Sequence, residues 1–355
     1  MSYAFLILPA ANRVYRRSAP ALAQAELAVI AAEALADRLE HIQERHIAGL
    51  SFVSFDLRDG GQLDPTDLAV LSNLSSMFAL FEVNTPGDDD TWLRPIPLAS
   101  LDRWDDDLLT IQRYPGKTNE QFTKMLLNVT LAAGCGASAF TGDKQRILDP
   151  LCGRGTTLNQ AVMYGFDAYG IDVDPHQVDA YRTFFTTWLK DKRAKHRVQQ
   201  GRVRRAGKVV GSRSSVTFAA HADDRRADRT QEVVTVVDDT TKALDHFSAS
   251  SFDAMVADLP YGVQHGSRTA EERRRRPDEL LEQSLPVWQS LLRPGAALGL
   301  SWNTRVASRA AISRALMDAG FELVTDQNFT GFAHRVDQAI ERDLMVARRP
   351  PKSPR

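Results

Sequence analysis

Cysteine is nearly absent: Cys135 and Cys152 are the only two in 355 residues, too few for a disulfide framework or a cysteine-rich zinc site, and a reducing cytoplasm is the compartment this predicts. No apolar run approaches the roughly 20 residues that cross a bilayer, so no membrane partner is expected. The opening MSYAFLILPAANRVYRR puts its apolar stretch ahead of its charges, which is the pattern of a strand and not of a secretory signal. Net charge is also missing, at −1, and no internal repeat is visible. With 43% hydrophobic and 25% charged residues, the disordered and fibrous classes are excluded. The length exceeds what one core usually organises, so a large domain with a smaller companion is expected.

The charge that is present is unevenly spread. Between residues 190 and 213 stand Lys190, Lys192, Arg193, Lys195, Arg197, Arg202, Arg204, Arg205, Lys208 and Arg213 against the single acid Asp191. Such a stretch can track a phosphate backbone, or it can be a solvated helix end followed by a mobile hairpin. Lys192, Arg193, Arg204 and Arg205 are taken as candidate substrate contacts. Arg268 joins them from the loop that carries the arginine run 273–276.

Residues 3–8 (YAFLIL) and 52–55 (FVSF) have the composition of strands, and alanine-rich residues 21–39 between them have helical spacing. A helix from Asp67 and a strand over 78–83 complete a small α+β unit, here bounded at 1–105 and given a possible RNA-binding role. From 106 to 355 strands alternate with helices, the sign of a mostly parallel α/β sheet. Thr118 with Gln121 has capping-box spacing, ahead of Phe122, Met125, Leu126 and Val129 on one helical face. Seven strands are expected, over 146–149, 168–172, 233–238, 252–258, 296–302, 321–324 and 343–347, with a basic insertion at 190–232 between the second and third.

The chemistry lies at the ends of those strands. Asp149-Pro-Leu-Cys-Gly153-Arg-Gly155-Thr156 follows the strand RILD, and its glycines allow a ligand to approach the backbone at a helix N-terminus. Alone it is also an ordinary tight turn. Nineteen residues past Gly153, Asp172 ends the next strand, where an acid can accept from both hydroxyls of an adenosine ribose. A third strand ends in Asp238-Asp239, and Asp239 is favoured as acceptor for the adenine amine, with a helix N-cap as the alternative. The fourth closes in Asp258-Leu259-Pro260-Tyr261. A base amine is a poor nucleophile because its lone pair is delocalised. The Asp258 carboxylate and the Pro260 carbonyl can each accept one of its N–H groups, and Tyr261 can stack on the base. Val178, Tyr181, Phe185 and Trp188 have the spacing of a buried stripe, Cys152 that of a packing residue in the turn, and no metal is required.

The pair DPLCGRGTTL and DLPYG resembles the first and fourth motifs, D-P-x-C-G-x-G-T and (D/N)-P-P-(Y/F), of class I S-adenosylmethionine (SAM)-dependent methyltransferases that modify exocyclic amines. RYPGKTNEQF and GIDVDP are similar to the tRNA guanosine N2-methyltransferase family that acts at position ten and to the related THUMP-associated guanine N2 enzymes. The resemblance spans 114–347. It implies a Rossmann-like seven-stranded class I methyltransferase sheet beside the smaller N-terminal α+β domain, SAM as cofactor and RNA, above all tRNA, as partner. It implies further that Asp149, Gly153, Gly155 and Thr156 lie along the cofactor, that Asp172 with Val173 holds its ribose, and that Asp258, Pro260 and Tyr261 hold the target base. Leu259 stands where the first proline is usual, a change associated with the guanine N2 branch. DNA adenine-N6 and cytosine-N4 methyltransferases share both motifs but call for a separate target-recognition region. A binding protein that lost turnover has no reason to keep Asp172, Asp258 and Tyr261 together. A nicotinamide dehydrogenase needs a third glycine where Leu158 stands.

Overall fold

A computed structural model describes residues 1–10, 12–84, 91–227, 229–260, 277–324 and 327–351. Its first part is built from β1 (Ser2–Ile7), α1 (Arg13–Ala34), β2 (Leu39–Ile47), β3 (Leu50–Leu57), α2 (Pro65–Leu71), β4 (Met77–Asn84) and β5 (Trp92–Ile96). The strands form one antiparallel sheet in the order β2-β3-β1-β4-β5. Helix α1 begins earlier than its alanine-rich stretch suggests. Asn12 caps it by accepting from the backbone N–H groups of Val14 and Tyr15, and Pro20 is absorbed inside it. Beyond Leu35, Ala36 and Asp37 take positive φ and turn the chain into β2, a strand the sequence pattern does not announce.

The second part continues with α3 (Asp107–Thr110), α4 (Glu120–Cys135), β6 (Arg146–Asp149), α5 (Thr156–Met163), β7 (Asp167–Asp172), α6 (Pro175–Asp191), β8 (His196–Arg205) and β9 (Lys208–Phe218). After these come α7 (Ala222–Arg226), β10 (Gln231–Val237), β11 (Phe252–Asp258), α8 (Pro277–Leu291), β12 (Leu292–Asn303), α9 (Arg309–Asp318), β13 (Glu322–Leu323), β14 (His334–Arg335) and β15 (Glu341–Arg348). The sheet order is β13-β15-β12-β11-β6-β7-β10-β9-β8, with β14 paired to β15. β10, β7, β6, β11 and β12 are parallel, and β15 runs against β12 and β13. All seven expected strands are present in this α/β sheet, and the 190–232 insertion adds β8 and β9 as a further hairpin at its edge.

Phe122, Met125, Leu126 and Val129 of α4 are buried as their spacing predicts, as are Val178, Tyr181, Phe185 and Trp188 of α6. The helix cap differs: Asn119 accepts from the Phe122 N–H, which releases the Thr118 hydroxyl for another partner. α1 packs on α4, and the apolar core runs without a break from the first sheet into the second. Inside that contact the buried Glu26 accepts from the Ser75 N–H and hydroxyl (3.0 and 2.5 Å) and from Asn128 Nδ2 (2.8 Å). A buried carboxyl group bonded from Ser75 and Asn128 fixes their relative placement, since losing either donor would leave a buried acceptor unsatisfied. Among the described residues, no helix is long and apolar enough to cross a membrane.

Candidate active site

The parallel strands deliver Asp149, Asp172 and Asp258 to one end of the sheet, the carboxyl ends of β6, β7 and β11, where open α/β sheets bind ligands. Between β6 and α5 the chain turns through Gly153 (φ 48°) and Gly155 (φ 76°), both in the left-handed region. A Cβ on Gly155 would stand 2.4 Å from the Tyr181 ring, so α6 presses against this turn. A Cβ on Gly153 would meet nothing within 4 Å, which leaves the backbone there approachable by a ligand. Cys152 is buried beneath the turn, and burial pushes its thiol well up, as suits a packing residue.

Asp172 braces this turn: Oδ2 accepts from the Gly153 N–H (2.8 Å) and Oδ1 from the Asp174 N–H (2.9 Å). Val173 beside it is 49% exposed and offers an apolar face at the rim. Asp149 lies beneath, accepting from the Leu151 N–H (3.0 Å). Burial pushes its carboxyl up to about 7, against the bonds from Leu151 and Thr157, and the negative charges of Asp172 and Asp258 add to the rise. Asp149 and Asp172 beside an approachable backbone turn suit a cationic group, as the sulfonium of SAM is.

Asp258 is held on both sides. Thr118, at the foot of α4, donates its hydroxyl to Oδ2 (2.5 Å), and Ser301 donates from the neighbouring β12 to Oδ1. Ser301 is buried and its carbonyl accepts from the Leu259 N–H (2.8 Å), a bond that proline at position 259 would forfeit. Pro260 follows, half-buried. Tyr261 and Arg268 lie outside the described residues. The RYPGKTNEQF segment thus reaches both motifs, because Tyr114 also bonds Thr156 through the two hydroxyls (3.0 Å) while the Arg154 guanidinium lies 4.8 Å from its ring centroid.

At the end of β10, Asp239 Oδ1 accepts from the Thr241 N–H and hydroxyl (2.9 and 2.8 Å), the N-cap geometry foreseen as its alternative role. Asp238 is the more buried of the pair. Burial works to raise its carboxyl, but bonds from Arg205 and His246 outweigh this and hold it below the usual carboxylate range. Of the candidate substrate contacts, two are already paired: Lys192 Nζ with Asp105 and Asp107 (2.6 Å each), and Arg205 with Asp238 and Asp245 (2.8 and 3.0 Å). Arg193 and Arg204 have no carboxylate partner among the described residues. His334 is a core histidine: buried, with Nδ1 2.8 Å from the Phe332 carbonyl. Sequence reasoning missed Thr118 and Ser301. The signal for the first was the asparagine after Thr118, a better cap that frees the threonine.

Residues 118–315, more than half of the chain, match the family model described as RMKL-like, methyltransferase domain. The match begins at Thr118 and takes in Asp149, Asp172, Asp258 and Ser301. No curated protein matches the chain. Among solved structures the chain is similar to TrmN from Thermus thermophilus, at 14% identity over 98% of this chain and 99% of that one with a TM-score of 0.44. It is also similar to the PH0226 protein from Pyrococcus horikoshii OT3 (13%, 70% and 97%, TM-score 0.38). A TehB-like SAM-dependent methyltransferase from Corynebacterium glutamicum is a third (15%, 59% and 82%, TM-score 0.34).

Proposed function

Because the chain belongs to the RMKL-like methyltransferase domain family and is a SAM-dependent methyltransferase, we propose that it methylates an exocyclic amine of a nucleic-acid base, guanine N2 in RNA, with tRNA as that RNA. The observation that carries this reading is the clamp on Asp258, whose two oxygens are held by Thr118 and Ser301 at the strand end where an amine acceptor is required. Bound there, SAM supplies an electrophilic methyl on a positively charged sulfur. The Gly153–Gly155 turn and Asp149 would lie along it, Asp172 and Val173 would take the ribose, Thr156 would stand at the helix N-terminus beside it, and Asp239 would face the adenine.

The chain's own part is to aim and strip the amine. Asp258 accepts one N–H of the target amine, and the Pro260 carbonyl accepts the other. Two acceptors set at an angle draw the nitrogen out of conjugation. The proton it sheds on methylation can rest on Asp258 before passing to water. Tyr261 is the ring assigned to cover the base and offset the loss of stacking when the nucleotide is extruded. Leu259 supports the guanine N2 assignment, and residues 1–105 form the smaller unit that would meet the RNA outside the site.

The test incubates the purified chain and radiolabelled SAM with unmodified tRNA or with DNA, digests each product and identifies the labelled nucleoside. Label in N2-methylguanosine is expected. Label confined to N6-methyladenine or N4-methylcytosine in DNA would move the function to the DNA-modifying branch. Tight cofactor binding with no label on either would favour a nucleic-acid-binding protein without turnover.

A further inference from the structure

We propose that the β8–β9 hairpin is an arm that grips the phosphate backbone of the substrate RNA beside the transfer site, through Arg202, Arg204 and Lys208; this rests on the RNA reading above. The hairpin is wired into the sheet. Ser214, Val216 and Phe218 of β9 are buried, and Arg182 on α6 bonds Thr235 Oγ1 (2.8 Å) and Ser212 Oγ (2.7 Å), tying β10, β9 and the helix together. Gly211 passes so close to the Val237 carbonyl that a Cβ there would stand 1.7 Å from its oxygen. The insertion is therefore a fixed extension of the sheet and not a loose loop.

Its direction is set by register. The last pair between β9 and β10 is Ser212 with Val237, at the carboxyl end of β10. Residues 203–211 thus continue past the sheet, by roughly 13 Å at the usual strand rise, on the end that holds Asp172, Asp238 and Asp258. Arg205 anchors the tip to Asp238 and Asp245, and Arg213 donates to the His246 carbonyl. Between the hairpin and the segment 238–246 that follows β10 lies a concavity of about 420 Å³, lined by Arg202, Arg204, Arg205, Arg213, Asp245 and His246.

The charges divide into anchors and free groups. No acid occurs between Asp191 and Asp223. Arg202, Arg204 and Lys208 are exposed and have no carboxylate partner among the described residues, whereas Lys192 ahead of β8 and Arg205 at its last residue are paired. Cations on β8 alone would serve to keep an edge strand from pairing with another chain. That role gives no reason for Arg202 and Arg204 to line a concavity beside the ligand-binding end. Solvated cations at fixed spacing suit a polyanion, each phosphate contact adding a salt-sensitive increment to affinity.

The test compares the full chain with its R202Q/R204Q/K208Q variant for binding of unmodified tRNA across a salt series. Affinity at about 100 mM salt should fall by roughly 10- to 100-fold, and the slope of log affinity against log salt should flatten by about 2 to 3, while SAM affinity and far-UV circular dichroism stay unchanged. If the triple variant aggregates, K208Q alone at the turn tests the same claim at about one unit of slope. Unchanged tRNA affinity and slope in a protein whose wild type methylates tRNA overturns the arm and leaves the enzyme's function standing. A wild type that ignores tRNA and methylates only DNA overturns both. A variant that keeps tRNA but loses anionic phospholipid vesicles overturns the arm in favour of a membrane contact.

Discussion

The carboxyl ends of β6, β7 and β11 and the tip of the β8–β9 hairpin hold opposite charges in opposite ways. Asp149, Asp172 and Asp258 are each bonded in advance by turn N–H groups or by hydroxyls from distant segments. Arg202, Arg204 and Lys208 stand in water without a carboxylate. A group that must be aimed within a fraction of an ångström gains from partners fixed during folding, because no reorganisation is then needed when the reacting centre forms. A group that must adhere to a flexible polyanion gains from staying solvated until counterions are released. The molecule thus keeps precision and adhesion on neighbouring parts of one sheet.

The comparison breaks first at Asp258. Asp258→Ala should lower kcat by about 10³-fold while leaving SAM affinity within about twofold, measured by single-turnover transfer and by titration of the cofactor. Unchanged transfer would remove Asp258 from the amine site altogether. Asp172→Ala should act the other way round, weakening SAM binding by roughly 10- to 100-fold before it touches kcat, since it removes a charged acceptor and the brace on Gly153. A smaller effect sharpens the contrast. Thr118→Val removes one of the two hydroxyls that hold Asp258, so kcat should drop about tenfold with KM for both substrates unchanged, and Thr118→Ser should restore it. An equal fall in thermal stability for the valine and serine variants, with no recovery of kcat, would make the Thr118 contact structural only.

Much of this was legible in the sequence because strands buried on both faces announce themselves. RILD, AYGID and FDAMVAD are short apolar runs, each ending in its acid, and the structure places β6, β7 and β11 at or within one residue of the expected bounds. The hairpin was not legible as strand. HRVQQGRVRR has only Val198 and Val203 as apolar residues, since an edge strand in water needs no buried face, and its partner buries side chains only toward its far end. β2 was hidden likewise by positive φ at His41 and a register shift between Glu40 and Gln43. In the site, the acids are marked by their place at strand ends, whereas Thr118 and Ser301 reach Asp258 across 140 and 43 residues of chain, and no local pattern encodes such a meeting.

The smallest predicted effect concerns Asp149, whose carboxyl burial raises toward neutrality. Its carboxyl ordinarily titrates near 3.8 and sits at about 7 in the folded chain, so the folded state holds a proton that the unfolded state has lost across that interval. The protonated form is the one that folding favours. Its contribution to stability is therefore complete below about pH 4 and is lost as pH rises through about 7. His334, whose burial disfavours its charged form, slopes in the opposite sense, which is why the measurement is a difference between two proteins. Denaturation midpoints at about pH 5 and about pH 8 should separate more for the wild type than for Asp149→Asn, which cannot ionise. A bound cation reverses the preference by stabilising the ionised carboxylate, so SAM affinity should rise across about pH 6 to 8 in the wild type and flatten in the variant. If both proteins kept the same pH dependence, Asp149 would not be the group that couples protonation to the cofactor, and the acidic end of the comparison would rest on Asp172 and Asp258 alone.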